Sequence, residues 1–540
     1  MRHHLRLALV PALACPALAQ FPVLPAPSLV ARTAPRAEWS NVASTGLTAT
    51  GSTFRCDNPG AATDDLLYVF GGCLDNNTST TLNDLWAFDP VAGTFAQVND
   101  GTGSPAPHAR CRASVAWNPL TQRLIVFGGD NRATGPLPPN TLLNDTWEYD
   151  PVADTWTDVT PAGGNPSPRR WAAMAFEPQI GGMLLFGGDV GAGSLSNETW
   201  LFIGGAWAQL SPVTVPPARR MASLVTRNDA FQDVLMCGGD DSSLTTYAPD
   251  VYRHLDVWTW SGGDWTLISS YDWATQTGTF PASAFANQAV YDPLRKRVVL
   301  QGGQGIAANT ASNKTYLFGT TLYNGSPTNY TSEFDCLTNS WTIYANPTTG
   351  SAPYNNTDPS IGRISRYFAG FVPATGKVYK SGGQDPTKSF SRPTYNVYEY
   401  QASPVAAAAD YGAGCAGPGG TPTLAADDLP WTGRTLSATC TNLGPTSLTL
   451  SVWGATQTSV PLAPLLPLAG AGCLLLNDVL LLAGPDVPAA GQVQLFLPIV
   501  DDPTLAGTVL QVQVAELEFS GPTWVGLYTS NGVTLTVGAL

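Results

Sequence analysis

At 540 residues the chain is long enough for two or more domains. Its 44% hydrophobic residues against 12% charged ones supply ample apolar surface to bury, which excludes disorder. A net charge of −14 lacks the basic footprint that phosphate backbones require, so nucleic acid is excluded as a partner, and 54 Gly with 45 Pro suit short strands and tight turns rather than helices.

In chain order, residues 1–19 come first. They carry Arg2 and Arg6, an apolar run over 7–18, and Ala17, Leu18 and Ala19 before Gln20. That is the pattern of a secretory signal peptide cleaved after Ala19, and it predicts a secreted or cell-surface protein. A lipid-anchoring role for Cys15 is the alternative, with Ala12 standing where Leu is expected. Residues 20–37 form a Pro-rich segment. No later run reaches the length of a membrane-spanning helix, since 474–482 is short and holds Asn477 and Asp478. Eight cysteines remain after Cys15, so disulfides are expected, with their connectivity open. Cys237 lies inside an apolar strand and reads as a buried free thiol. With no CxxC pair, no zinc site or other metal site is expected.

From residue 38 the chain repeats itself. An apolar strand ending in Gly-Gly recurs six times: LYVFGGC at 67–73, LIVFGGD at 124–130, MLLFGGD at 183–189, VLMCGGD at 234–240, VVLQGGQ at 298–304 and VYKSGGQ at 378–384. Ahead of most copies stands a strand opening on arginine, as in HARCRASVAW at 108–117, PRRWAAMAF at 168–176, ARRMASLV at 218–225 and SRYFAGF at 365–371. Behind them come two strands marked by Trp, clearest in NDTWEYDPVADTWTDV at 144–159. Four antiparallel strands per unit make one propeller blade. The glycines permit a close backbone approach, and the Trp rings fill the space between neighbouring blades.

These units resemble kelch repeats, which implies an all-β, six-bladed kelch-type β-propeller over residues 38–402. AEWSNVAS at 37–44 looks like the fourth strand of a unit, and the sixth unit lacks one after Tyr400, so residues 38–44 are expected to close the last blade. An Ala/Gly/Pro linker over 403–423 then leads to residues 424–540. This last part alternates apolar and polar residues in SLTLSVWG and TVLQVQVAELEF, holds one base, Arg434, and no histidine. It reads as a small β-sandwich and is similar to the C-terminal β domains appended to many secreted bacterial proteins.

Chemistry is sparse. His108 and His254 are the histidines left after residue 19. A propeller oxidase of the galactose-oxidase type would need two His and two Tyr around copper, and spacing assembles no such set. No GxSxG, HExxH, P-loop or EF-hand pattern is present, and no cofactor is expected. The strand-opening arginines recur once per unit and can pair with the acids after Gly-Gly, Asp130, Asp189 and Asp240, or converge on one channel mouth. The candidate ligand-binding residues are Arg110, Arg170, Arg220 and Arg366, with Tyr252, Tyr330 and Tyr395 in the long loops. The second arginine of each doublet is the better placed. Three readings stand: a secreted binding or scaffold protein recognising an extracellular protein or glycan through its loop face, a carbohydrate-active oxidase or lyase, and a structural envelope component.

Overall fold

The computed structural model describes residues 38–43, 57, 59–73, 81–103, 105–131, 141–241, 254–270, 283–285, 288–301, 304–305, 315–316, 322–323, 331–344, 367–381, 384–385, 392–393, 397–401 and 406–539. Among these there is no α-helix, only one short 3₁₀ turn at Pro503–Leu505. Among the described residues no helix is long and apolar enough to cross a membrane.

Six four-stranded antiparallel sheets follow one another along the chain. Blade one is Gly60–Ala62, Leu67–Cys73, Thr81–Asp89 and Thr94–Asn99, and blade two is Ser114–Asn118, Arg123–Asn131, Thr141–Asp150 and Thr155–Asp158. Blade three is Ala173–Glu177, Gly182–Phe186, Thr199–Ile203 and Ala206–Leu210; blade four is Ser223–Arg227, Asp233–Cys237, Val257–Ser261 and Asp264–Ser269. Blade five is Val290–Asp292, Arg297–Gln301, Thr331–Asp335 and Ser340–Tyr344. Blade six is Phe368–Val372, Lys377–Ser381 and Val397–Gln401, and its outermost strand is Glu38–Ala43, antiparallel with Glu38 opposite Gln401. Each innermost strand lies against those of its two neighbours, and blade six lies against blade one, so the sheets surround a common axis.

The repeat pattern explains this packing. The Trp of an outermost strand fits against the Phe that precedes Gly-Gly in the blade before. Trp156 packs on Phe70 at 5.1 Å between ring centroids, Trp207 on Phe127 at 4.9 Å and Trp265 on Phe186 at 5.3 Å. Two of these indoles donate to a Thr of the same earlier blade, Trp207 to Thr146 at 2.8 Å and Trp265 to Thr199 at 3.0 Å. Blade four carries Cys237 where its predecessors carry Phe, and this buried free thiol shares a core cluster with Trp341 of blade five. At the Gly-Gly pairs the next blade comes too close for a side chain. Gly128, at φ +63°, would place a Cβ 2.7 Å from the Arg169 carbonyl, and the Gly129 N–H donates to that same carbonyl at 2.9 Å.

The C-terminal part forms a five-stranded sheet, ordered Ala407–Tyr411, Thr523–Thr536, Val509–Ser520, Ser447–Gly454 and Leu481–Asp486. A three-stranded sheet of Thr423–Ala426, Thr435–Thr441 and Val493–Pro498 packs on it through Leu424, Leu436, Leu495, Val512, Val514 and Leu535. Two cysteine pairs lie at disulfide distance, Cys73 with Cys111 and Cys415 with Cys473, with Cα separations of 5.6 and 4.9 Å. Cys336 and Cys440 are, like Cys237, buried free thiols, and Cys56 lies outside the described residues.

Candidate functional site

The arginines that open the inner strands fall into two structural classes. The first class is Arg110, Arg169 and Arg219, each enclosed in the wall of its blade at 0–1% exposure. Arg110 donates to both carboxylate oxygens of Asp145, at 2.6 and 2.7 Å, and to the Gly128 carbonyl at 3.0 Å. Arg219 repeats this on Asp256 and Gly238, whereas Arg169 donates to one carboxylate oxygen of Glu198, to the Ser196 hydroxyl and to the Gly187 carbonyl. The acids come from the Asp/Glu-x-Trp motif at the third strand, where the Trp two residues on donates its indole N–H to the same carboxylate. Burial raises the Asp145 and Asp256 pKa values, but the arginine contacts outweigh it and hold both below the ordinary aspartate value. Arg110 therefore stands inside the wall with its donors engaged, and it does not present its charge to the mouth.

The second class lines the axial opening. Position by position, Cys111, Arg170 and Arg220 follow the first class, and each makes an antiparallel backbone bridge to the Asp after its own Gly-Gly pair. Arg170 lies between Asp189 at 3.0 Å and Asp130 of the blade before at 2.9 Å. Arg220 lies between Asp240 at 3.1 Å and Asp189 at 3.5 Å. Arg112, one residue further on, spans Asp57 at 3.1 Å and Asp130 at 2.9 Å. Carboxylates and guanidinia thus alternate around the opening from Asp57 to Asp240.

Next in blades one to four comes a residue with left-handed backbone, and these form a belt. Asp57, Arg112, Trp171 and Met221 have φ between +50° and +60°. The Arg112 N–H donates to the Asp57 carbonyl at 3.0 Å, Trp171 to Arg112 at 2.9 Å, and Met221 to Trp171 at 3.0 Å. This chain of bonds holds non-glycine residues in a conformation they seldom adopt, a strain that gathers at functional sites. Their side chains, with Gln288 and Tyr367, line a cavity of about 150 Å³. Within it the half-buried Trp171 ring has three guanidinium carbons around it, Arg112 at 4.2 Å, Arg170 at 4.8 Å and Arg220 at 5.2 Å from its centroid. A second cavity of about 370 Å³ opens along the axis beyond it, between inner strands of all six blades.

The structure brings Arg170 and Arg220 to this mouth, whereas Arg366, Tyr252, Tyr330 and Tyr395 lie outside the described residues. The central residue, Trp171, was missed by sequence reasoning. Its signal is the Trp of PRRWAAMAF, which nothing in the sequence sets apart from the Trp residues that fill the space between blades. His108 is exposed, and His254 sits 4.0 Å from Asp256. Burial foremost, and then the Arg219 charge, push His254 down to about 4. Among the described residues no three His, Cys, Asp or Glu side chains gather as a metal site.

Comparison with known proteins agrees with this architecture. The family described as the KLHDC2/KLHL20/DRC7 Kelch-repeats domain matches residues 29–188. An F-box/kelch-repeat protein of Arabidopsis thaliana is 30% identical over 130 residues, covering 24% of this chain and 25% of that protein. The flagellar outer-arm dynein alpha chain of Chlamydomonas reinhardtii is 27% identical over 190 residues, 32% of this chain and 4% of the other. Multiple epidermal growth factor-like domains protein 8 of Rattus norvegicus is 36% identical over 116 residues, 20% and 4%. The chain therefore spans a quarter or less of the length of these relatives. The recurring Gly-Gly blades and the matches together show that the chain is similar to kelch-repeat proteins, the family match covering residues 29–188.

Proposed function

We propose that this protein is a secreted binding module that recognises an extracellular protein through the mouth around Trp171. Kelch repeats mediate protein binding and scaffolding, and rigid frames commonly carry recognition at their loop ends. The observation that carries the reading is the half-buried Trp171, an amphipathic anchor of the kind that dominates binding energy, framed by a fixed ladder of charges. The ladder also limits the ligand. Each guanidinium is already matched by carboxylates, four Asp against three Arg among the residues named, so this described arc of the mouth offers no surplus positive charge to an acidic ligand. A neutral polypeptide loop, with a glycan as the alternative partner, suits it better. The secreted setting rests on the signal-like residues 1–19.

The test is a parallel screen of the secreted protein against extracellular protein and glycan arrays, repeated with Trp171→Ala and Arg170→Ala. A specific protein hit weakened tenfold or more by Trp171→Ala, at unchanged melting temperature, supports the proposal. A hit on glycans alone moves the ligand class. Hits that ignore both substitutions move the site away from the mouth.

A further inference from the structure

Between blades one and four the ladder around the mouth has one junction of a different chemistry. Blade three reaches back to blade two through Arg170 and Asp130, and blade four to blade three through Arg220 and Asp189. At the equivalent place in blade two the residue is Cys111, which makes the same backbone bridge to its own Asp130. In blade one the residue after Gly-Gly is Cys73, where the next three blades have Asp130, Asp189 and Asp240. The two cysteines are at disulfide distance and 1% and 0% exposed, forming a small buried cluster of their own. A covalent bond thus stands where the following two junctions use an arginine–aspartate pair.

We propose that the Cys73–Cys111 bond is a redox-sensitive latch on the binding mouth. In a locally opened state of the buried seam, a dithiol reductant cleaves the bond by attack of one thiolate on a cysteine sulfur. The S–S bond breaks, and the second thiol resolves the mixed disulfide, leaving two cysteine thiols and the dithiol oxidised to a cyclic disulfide. Two electrons and two protons pass to the protein. Neutral thiols supply neither a covalent bond nor the attraction of an ion pair. The mouth end of the seam between blades one and two is then held by the Arg112–Asp57 pair and by backbone bonds such as Gly72 N–H to the Arg110 carbonyl at 3.0 Å and Arg110 N–H to the Leu82 carbonyl at 2.9 Å, while Trp156 stays packed on Phe70 beneath it. Arg112 is also the guanidinium nearest the Trp171 ring, so loosening the seam disturbs the platform. The effect on a partner rests on the mouth being the binding site; the effect on the seam does not.

The experiment is hydrogen exchange on the full chain with and without dithiothreitol, after peptide mapping of the native linkage. Reduction is expected to raise exchange severalfold over residues 59–73 and 110–117 and to leave blades three and four unchanged. The double variant Cys73→Asp/Cys111→Arg, which installs the ion pair of the other junctions, is expected to be insensitive there. If that variant does not fold, Cys73→Ser/Cys111→Ser without reductant should reproduce the reduced pattern. Unlinked cysteines in the native protein, unchanged exchange after loss of the linkage, or a serine variant that exchanges like the oxidised protein would each overturn the latch. None of these readouts needs a partner, so they stand apart from failure of the binding screen.

Discussion

His254 shows how one residue's surroundings set a pH response. It is 12% exposed, faces Arg219, Asp240, Asp241 and Asp256, and its folded pKa of about 4 lies below the ordinary 6.5. The unfolded chain therefore binds the proton more readily, and stability rises with pH between about 4 and 6.5. Urea unfolding across that window should show a gain on the order of 2 kcal/mol that His254→Gln abolishes. The carboxylates act in a separate window. Those held low by arginine, Asp145 and Asp256, contribute above their unfolded values near 4 and lose that contribution as pH falls further. Residue by residue, sequence reasoning could see that arginines recur but not which acid each one meets. Adjacent positions such as Arg169 and Arg170 face different ways, one into the wall and one into the mouth, and the acid of the third-strand motif comes near only once the sheet is formed. The long loops stay outside this account because their sequences share no repeat from which a partner could be read.

At the scale of elements, the repeat period carried most of the fold. A strand that must accept its neighbour's carbonyl at contact distance can hold only glycine there, and a ring of blades needs a wide filler at each junction, so Gly-Gly and Trp recur wherever the geometry does. Where one partner changes, as Phe becomes Cys237, the pattern thins without the packing being lost. The strand with the most leverage is Glu38–Ala43, which comes from the far end of the sequence and covers the open edge of Val397–Gln401. An uncovered edge offers a row of unpaired backbone groups to other chains. Deleting residues 38–43 should lower the melting temperature by several degrees and produce concentration-dependent association on size exclusion. A synthetic peptide of that strand, added in excess, should raise the melting temperature again, because a ligand of the folded state stabilises it by mass action. Unchanged melting and a monomeric elution would show that the strand contributes little.

For the whole molecule the telling contact is between the propeller and the C-terminal sheets. Trp431, 4% exposed, packs into the core cluster of blades five and six with Val299, Tyr398 and Tyr400, and donates its indole N–H to the Leu294 carbonyl at 2.7 Å. Arg434 lies beside it, 2.9 Å from Asp335 of blade five. Asp335 is held below its ordinary pKa, because the Arg297 and Arg434 charges outweigh the effect of burial. These contacts make the C-terminal part a brace on blades five and six rather than a freely tethered module. Composition foreshadowed a second β unit but not this joint, because a single Trp and a single Arg in an otherwise acidic and aliphatic stretch give no periodicity to read. Replacing a buried Trp by Ala removes about 3–5 kcal/mol from the core that holds it. Since that core belongs to both parts, Trp431→Ala should split one calorimetric transition into two, with the propeller melting earlier and the C-terminal sheets near their original temperature. Arg434→Ala, which leaves the indole in place, should lower the midpoint less and keep a single transition. If Trp431→Ala shifts one undivided transition, the two parts unfold together through contacts other than this tryptophan.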